Sequence, residues 1–177
     1  MQIIGPEIEP RLDWLALTDA LAQGHELPRA EIADSFLHRG EDTLLTRSAW
    51  IDGMGMAIKP ATIFPGNRDH GVPVVNGVVN LLDDATGQLR ALVDFHLVTK
   101  WKTAGDSLLS ARRLARPDAR RVLVIGAGAV AESMVHAYRA LIPDAQVCIW
   151  NRSPAGAEAL AQRVSATAVR DLEPAVR

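Results

Sequence analysis

The sequence predicts an α/β chain in two parts, and three observations carry that prediction. The apolar run Arg121-Val122-Leu123-Val124-Ile125 breaks into Gly126-Ala127-Gly128 and resumes at helical spacing, which is how a dinucleotide-binding βαβ unit opens. Between Asp42 and Val93, short apolar or alternating runs are separated by turn residues, the pattern of a β-meander. Only about 50 residues follow Gly126, fewer than a complete six-stranded nucleotide fold needs at about 30 per βαβ unit. The expected fold is a β-rich α+β domain over 1–116, followed by an incomplete Rossmann-type dinucleotide-binding domain over 117–177, with the chain stopping partway through the second.

Each element has its own justification. Leu12, Leu15, Leu17 and Leu21, with Trp14 and Ala20, recur at helical intervals, so a helix is expected over 12–23, ending at Gly24 and covering a sheet. Strands are expected over 43–51, 54–64, 72–82 and 88–93, with Asp52-Gly53, Pro65-Gly66-Asn67 and Thr86-Gly87 in the turns. Leu97, Trp101, Ala104, Leu108, Ala111 and Ala115 place a helix over 97–114, terminated by Arg116-Pro117-Asp118 and bridging the two parts. A strand over 122–125, a helix over 129–141 stopped by Pro143 and a strand over 146–150 follow. A last helix starts after Ser153-Pro154, with Ser153 as its cap and proline at the first helical position.

Composition excludes several classes of function. A formal charge of −2 and the lack of a Lys/Arg cluster interleaved with aromatics offer nothing to a phosphate backbone, so no nucleic-acid partner is expected. No apolar run approaches the roughly 20 residues that cross a bilayer, and no membrane partner is expected. Cys148 is the single cysteine, most simply a small buried side chain, in keeping with a cytoplasmic location. His25, His38, His96 and His136 have no acid or cysteine partners at ligand spacing, and His70 lies in a loop, so no metal is expected.

In Gly126-x-Gly128-x-x-Ala131 the first glycine turns the chain tightly, the second lets a pyrophosphate approach the backbone, and the alanine lets the helix pack closely. The phosphates would sit on the N–H groups of the helix start, which makes Gly126, Gly128, Ala129 and Val130 cofactor-binding candidates. About 25 residues after Gly126 stands Asn151, where an acid would bind the ribose hydroxyls of NAD. Instead Asn151-Arg152-Ser153 offers neutral and cationic donors, and Arg152 suits a 2′-phosphate, so NADPH is expected over NADH.

Together these stretches resemble the ornithine cyclodeaminase/mu-crystallin family. The matching residues are Gly55-Met56-Ala57-Ile58-Lys59 with Phe64-Pro65-Gly66-Asn67, Gly71-Val72-Pro73 leading to Gly77, Asp83-Asp84-Ala85-Thr86-Gly87, Lys102-Thr103-Ala104, and the Gly126 loop closed by Asn151-Arg152-Ser153. The resemblance implies that residues 1–116 form a substrate-binding and dimerisation domain and that the protein is a homodimer acting on a small imino or amino acid. It implies hydride transfer between a nicotinamide and the carbon bearing an amine or imine beside a carboxylate. Lys59, at the end of an apolar strand, takes the place of the lysine that assists proton transfer at the imine. Lys102 stands where most relatives have an arginine that contacts the substrate carboxylate; the charge is kept and the bidentate fork is lost. Thr103 is the matching phosphate-side hydroxyl. Relatives also use an upstream arginine for the carboxylate; Arg29, Arg39 and Arg47 are the candidates, with Arg47 carried into the substrate-binding set. The catalytic aspartate of the family is expected beyond Arg177. The leading expectation is NADPH-dependent reduction of a cyclic ketimine such as pyrroline-2-carboxylate. The alternatives are an ornithine-type cyclodeaminase with bound NAD, which would favour an acid near Asn151, and a non-catalytic binder of NADPH and a small ligand.

Overall fold

The computed structural model describes residues 1–175, which divide into two compact units. Unit 1 comprises residues 1–12 and 23–99; unit 2 comprises residues 13–22 and 100 onward.

Unit 1 is built on a six-stranded sheet. In chain order its strands are β1 (Gln2–Ile4), β2 (Glu31–Arg39), β3 (Asp42–Ile51), β4 (Gly55–Ile63), β5 (Val75–Leu82) and β6 (Leu89–Asp94), arranged β1-β6-β5-β4-β3-β2. β3 to β6 form the antiparallel meander that the turn residues predict, β2 extends it antiparallel to β3, and β1 adds parallel to β6. β2 has no counterpart in the sequence reading. It is an edge strand exposed along its whole length, so neither face imposes the alternation that marks a half-buried strand. β5 begins at Val75 and not at residue 72, because Pro73 has no N–H for the ladder and its carbonyl accepts the side-chain amides of Asn67 (2.9 Å) and Asn76 (2.7 Å). The core of this unit gathers Val79, Ala91 and Val93 with Ile4 and Val98.

Unit 2 holds a three-stranded parallel sheet in the order β7 (Arg121–Ile125), β8 (Gln146–Trp150), β9 (Thr167–Ala168). Parallel neighbours need crossover helices, supplied by α3 (Ala129–Leu141) and α4 (Pro154–Arg163). Val135, Ile149 and Leu160 are fully buried between them, each contributing about 1.5–3 kcal/mol of burial. Arg139 of α3 donates to the carbonyls of Val164 and of Ser165 (2.7 Å), fastening the end of α4. Ser153 occupies the N-cap of α4, but its hydroxyl makes no capping bond; the expected side-chain cap is replaced by its carbonyl, which takes the Gly156 amide at 3.1 Å.

The two long helices preceding this sheet are α1 (Trp14–Gly24) and α2 (Phe95–Leu114). Here the expectation that α1 covers a sheet is corrected. Its apolar stripe packs on α2 and α3: Trp14 stacks on Trp101 with ring centroids 3.7 Å apart, Leu17 and Leu21 seat on Gly105, and Trp14 and Leu15 join the cluster of Ala104, Leu108 and Ala137. Arg112 of α2 completes the contact by donating to the Thr18 hydroxyl and to Asp19 (2.7 Å). Cys148 is half-buried.

The turn between β5 and β6 is held by Asp83, whose Oδ1 accepts the Thr86 hydroxyl (3.0 Å) and the N–H groups of Thr86 (3.0 Å) and Ala85 (3.1 Å). The Thr86 hydroxyl and amide keep the Asp83 carboxyl below its ordinary range, against a smaller opposing effect of burial. A carboxyl depressed in the folded state contributes stability that is complete above its unfolded value of about 3.9 and is lost as pH falls through the lower folded value. Melting temperatures taken from about pH 6 to about pH 2 are therefore expected to fall less steeply for Asp83→Asn than for the parent chain; parallel curves would refute this.

Candidate functional site

The register of unit 1 puts three charged residues side by side on one face. Arg47 of β3 pairs with Lys59 of β4 on one side and with Asp34 of β2 on the other. Side chains directly opposite in an antiparallel ladder stand about 5 Å apart at Cβ, so Arg47 and Lys59 repel. Asp34 offsets this. Arg47 donates Nε–H to one carboxylate oxygen (2.8 Å) and Nη2–H to the other (2.5 Å), a bidentate fork. The Arg47 hydrogen bond is the main cause that holds the Asp34 carboxyl below its ordinary value, aided by the charges of Arg47 and Lys59 and opposed by desolvation; the same bond raises Arg47.

Lys59 is half-buried, with its Nζ 5.9 Å from the centroid of the buried Phe95 ring, within reach of the ring face. The β4–β5 ladder registers Ile58 with Asn80 and Ala61 with Gly77 but makes no pairing at Lys59 and Pro60, where proline has no N–H to give. Gly77 makes room for the ring: a Cβ there would stand 2.4 Å from the Pro60 carbonyl oxygen and 2.7 Å from the ring of Phe95. On the same face, a groove of about 900 Å³ is lined by Ile4, Ala49, Ile51, Ala57, Leu81 and Ala91. Asp83, Thr86 and Arg90 also line the groove, whereas Arg47 and Lys59 do not, so the cationic rung and the groove are separate features of this unit. The groove's volume lies at the upper end of the drug-sized range, so its size alone does not select a five-membered ring.

A second candidate site lies in unit 2. After β7 the chain turns at Gly126 with φ +122°, in a region that other residues avoid. The Gly126 N–H donates to the Trp150 carbonyl at 2.8 Å, tying the loop to the end of β8. Gly128 is the extended N-cap of α3 and makes no side-chain capping bond, which leaves the first N–H groups of the helix, including those of Ala129 and Val130, without intrahelical partners. A Cβ at Gly126 or Gly128 would meet nothing within 4 Å. A bare, open helix start of this kind fits a pyrophosphate. Glu132 in the first turn would oppose an anion, and Arg163 partly neutralises it at 3.1 Å. At the end of β8, Asn151 donates its side-chain amide to the Ser153 carbonyl (3.0 Å), while Arg152 and Ser153 are exposed. Arg152 has no acidic partner among the described residues.

The profile of the ornithine cyclodeaminase/mu-crystallin family matches residues 45–176. The chain belongs to this family. It is 45% identical over 172 residues to a Delta(1)-pyrroline-2-carboxylate reductase of Paracoccus denitrificans, the match covering 94% of this chain and 54% of that protein. Among solved structures it superposes on an archaeal alanine dehydrogenase dimer with bound NAD (TM-score 0.84, 21% identity, 99% of this chain and 57% of that one). It also superposes on the Thermococcus litoralis Delta(1)-pyrroline-2-carboxylate reductase in complex with NADH and L-proline (TM-score 0.77, 18% identity, 99% and 58%). These structures establish the fold, a mixed α/β architecture with a sheet-rich part and a parallel Rossmann-like part. The chain spans about half the length of the relatives it matches.

Within this family member the residues singled out from sequence fall into two groups. Arg47 and Lys59 share one rung of unit 1, and Gly126, Gly128, Ala129, Val130, Asn151, Arg152 and Ser153 cluster at the ends of β7 and β8 in unit 2. Lys102 and Thr103 are exposed on α2, and Lys102 is engaged by Asp106 one turn on, at 2.5 Å. Of the other arginines, Arg39 lies on the opposite sheet face by register, pairs with Asp42 at 2.9 Å and sits over Phe64, while Arg29 is exposed in the loop before β2. Asp34, Gly77 and Phe95 belong to the cationic rung as well, and no motif marks Asp34 or Phe95. Among the described residues no group of His, Cys, Asp or Glu could hold a metal ion, and no helix is long and apolar enough to cross a membrane.

Because Gly77 seats the ring beneath Lys59, Gly77→Ala is expected to destabilise unit 1 by about 1–3 kcal/mol through overpacking and to displace Phe95. Urea denaturation with aromatic NMR shifts would check this, and an unchanged midpoint with an unshifted Phe95 would refute it.

Proposed function

We propose that the protein carrying this chain reduces a cyclic ketimine such as pyrroline-2-carboxylate to the amino acid, with NADPH as reductant, and that it works as a cytoplasmic homodimer. The observation that carries the reading is the pair of sites: a cationic rung in unit 1, and an open glycine loop on a helix start in unit 2. The 45% identity to a pyrroline-2-carboxylate reductase over nearly the whole chain supports it, and the dimeric state of the archaeal alanine dehydrogenase supports the homodimer. In this reading residues 1–116 bind substrate and form the dimer, and residues 117–177 begin the cofactor domain.

Chemically, the substrate carboxylate pairs with Arg47, with Lys102 as a second cation. Lys59 holds the proton that reaches the imine nitrogen. When bound, a nicotinamide cofactor would supply a hydride for the imine carbon; with the proton from Lys59, the C=N π bond would be replaced by one C–H and one N–H bond. Gly126, Gly128, Ala129, Val130 and Thr103 hold the pyrophosphate, and Asn151, Arg152 and Ser153 hold the 2′-phosphate end.

Two experiments test this. The protein carrying this chain, supplied with pyrroline-2-carboxylate and NADPH, is expected to oxidise the cofactor and form proline, and Lys59→Ala to lower kcat about 10²- to 10⁴-fold. Ammonia released from ornithine without net cofactor change would establish a cyclodeaminase instead. Fluorescence titration of the chain is expected to favour NADPH over NADH, and Arg152→Ala combined with Asn151→Asp to reverse the ratio. A ratio untouched by the double substitution would remove these residues from the cofactor site.

A further inference from the structure

The rung of unit 1 contains an acid that neither the motifs nor the proposed chemistry uses. Asp34 lies on the exposed strand β2, its side chain 28% exposed against 54% for Arg47, and both its oxygens accept from Arg47. A cross-strand ion pair on a sheet edge commonly does no more than support pairing. Two features set this one apart. β2 and β3 are already registered from Glu31–Trp50 to Arg39–Asp42, so the ion pair is not needed to set their alignment. The arginine it holds also stands opposite a second cation, Lys59, from which it would otherwise swing away.

We propose that Asp34 is the positioning residue of the anion site: it fixes the Arg47 guanidinium by one fork and leaves the other fork for a single carboxylate. The proposal rests on the reading of Arg47 as the carboxylate contact. A guanidinium carries five N–H donors in a plane. The Nε and Nη2 donors directed at Asp34 occupy one edge, and the Nη1/Nη2 edge remains for a second bidentate partner. The charge of the rung follows from the same arrangement. Arg47 and Lys59 with Asp34 sum to one positive charge, matched to one carboxylate; without Asp34 the rung would carry two, unmatched by a monocarboxylate and repelling each other. Asp34 therefore acts on both geometry and specificity without touching the reacting atoms.

The test uses the chain with pyrrole-2-carboxylate, a stable planar analogue of the cyclic imine, as probe in calorimetric titrations. Arg47→Ala and Asp34→Asn are each expected to weaken binding about tenfold, the scale of one charge-assisted hydrogen bond. Asp34→Glu, which keeps the acid, is expected to recover most of the loss, and Asp34→Asn added to Arg47→Ala to cost nothing more. A second readout needs no ligand: the Arg47 Nε–H is expected to exchange slowly in the parent chain and rapidly in Asp34→Asn. Binding that Arg47→Ala weakens and Asp34→Asn leaves intact would overturn this proposal alone. So would an Asp34→Asn loss that persists in the Arg47→Ala background, or Arg47 Nε–H exchange insensitive to Asp34. A parent chain that does not bind the probe would overturn the reading of the carboxylate site and this proposal with it.

Discussion

Two cations directly opposite each other on one rung of a sheet are a standing electrostatic demand, and much of unit 1 is arranged around it. Arg47 and Lys59 face each other across β3 and β4, where like charges destabilise the ladder unless an anion intervenes. On one flank Asp34 meets that demand. On the other, the Phe95 ring lies beneath the Lys59 ammonium, and Gly77 makes room for the ring. Pro60 removes a ladder hydrogen bond beside Lys59, so the strand is least constrained where its side chain is most charged. What remains on the rung is one net unit of positive charge.

Unit 2 meets a different constraint. Parallel strands cannot be joined by tight hairpins, so α3 and α4 must cross over the sheet, and each crossover begins at the carboxyl end of a strand. The glycine loop is the first of these joints. The bond from the Gly126 amide to the Trp150 carbonyl links it to the neighbouring strand end, so the turn that presents the helix start and the loop that carries Asn151 and Arg152 are built on one another. That coupling brings residues about 25 positions apart in sequence to one place.

How much of this was legible in the sequence depended on whether the signal was local. α3 follows its apolar period to both ends, since Ala131 and Val135 face the core while glycine and proline mark the limits. The meander from β3 to β6 is legible from its turns, and Lys59 from its place in the family motif. β2 escaped because a strand exposed on both faces has no periodicity to read. The stripe of α1 told that the helix is buried and not which neighbour buries it; that choice falls to Gly105 and Trp101, some 80 to 90 residues away. Asp34 was invisible for the same reason, because its role exists only once the register sets it beside Arg47.

The location of Asp34 on an exposed edge strand bears on how freely this chain tolerates change there. Substitutions along β2 disturb little packed volume, so its residues can change at small cost in stability. The charge beside Arg47 can therefore change without endangering the core, while Gly77, held between the Pro60 carbonyl and the Phe95 ring, has no room for a side chain. Charge beside Arg47 is therefore most cheaply altered on the outermost strand.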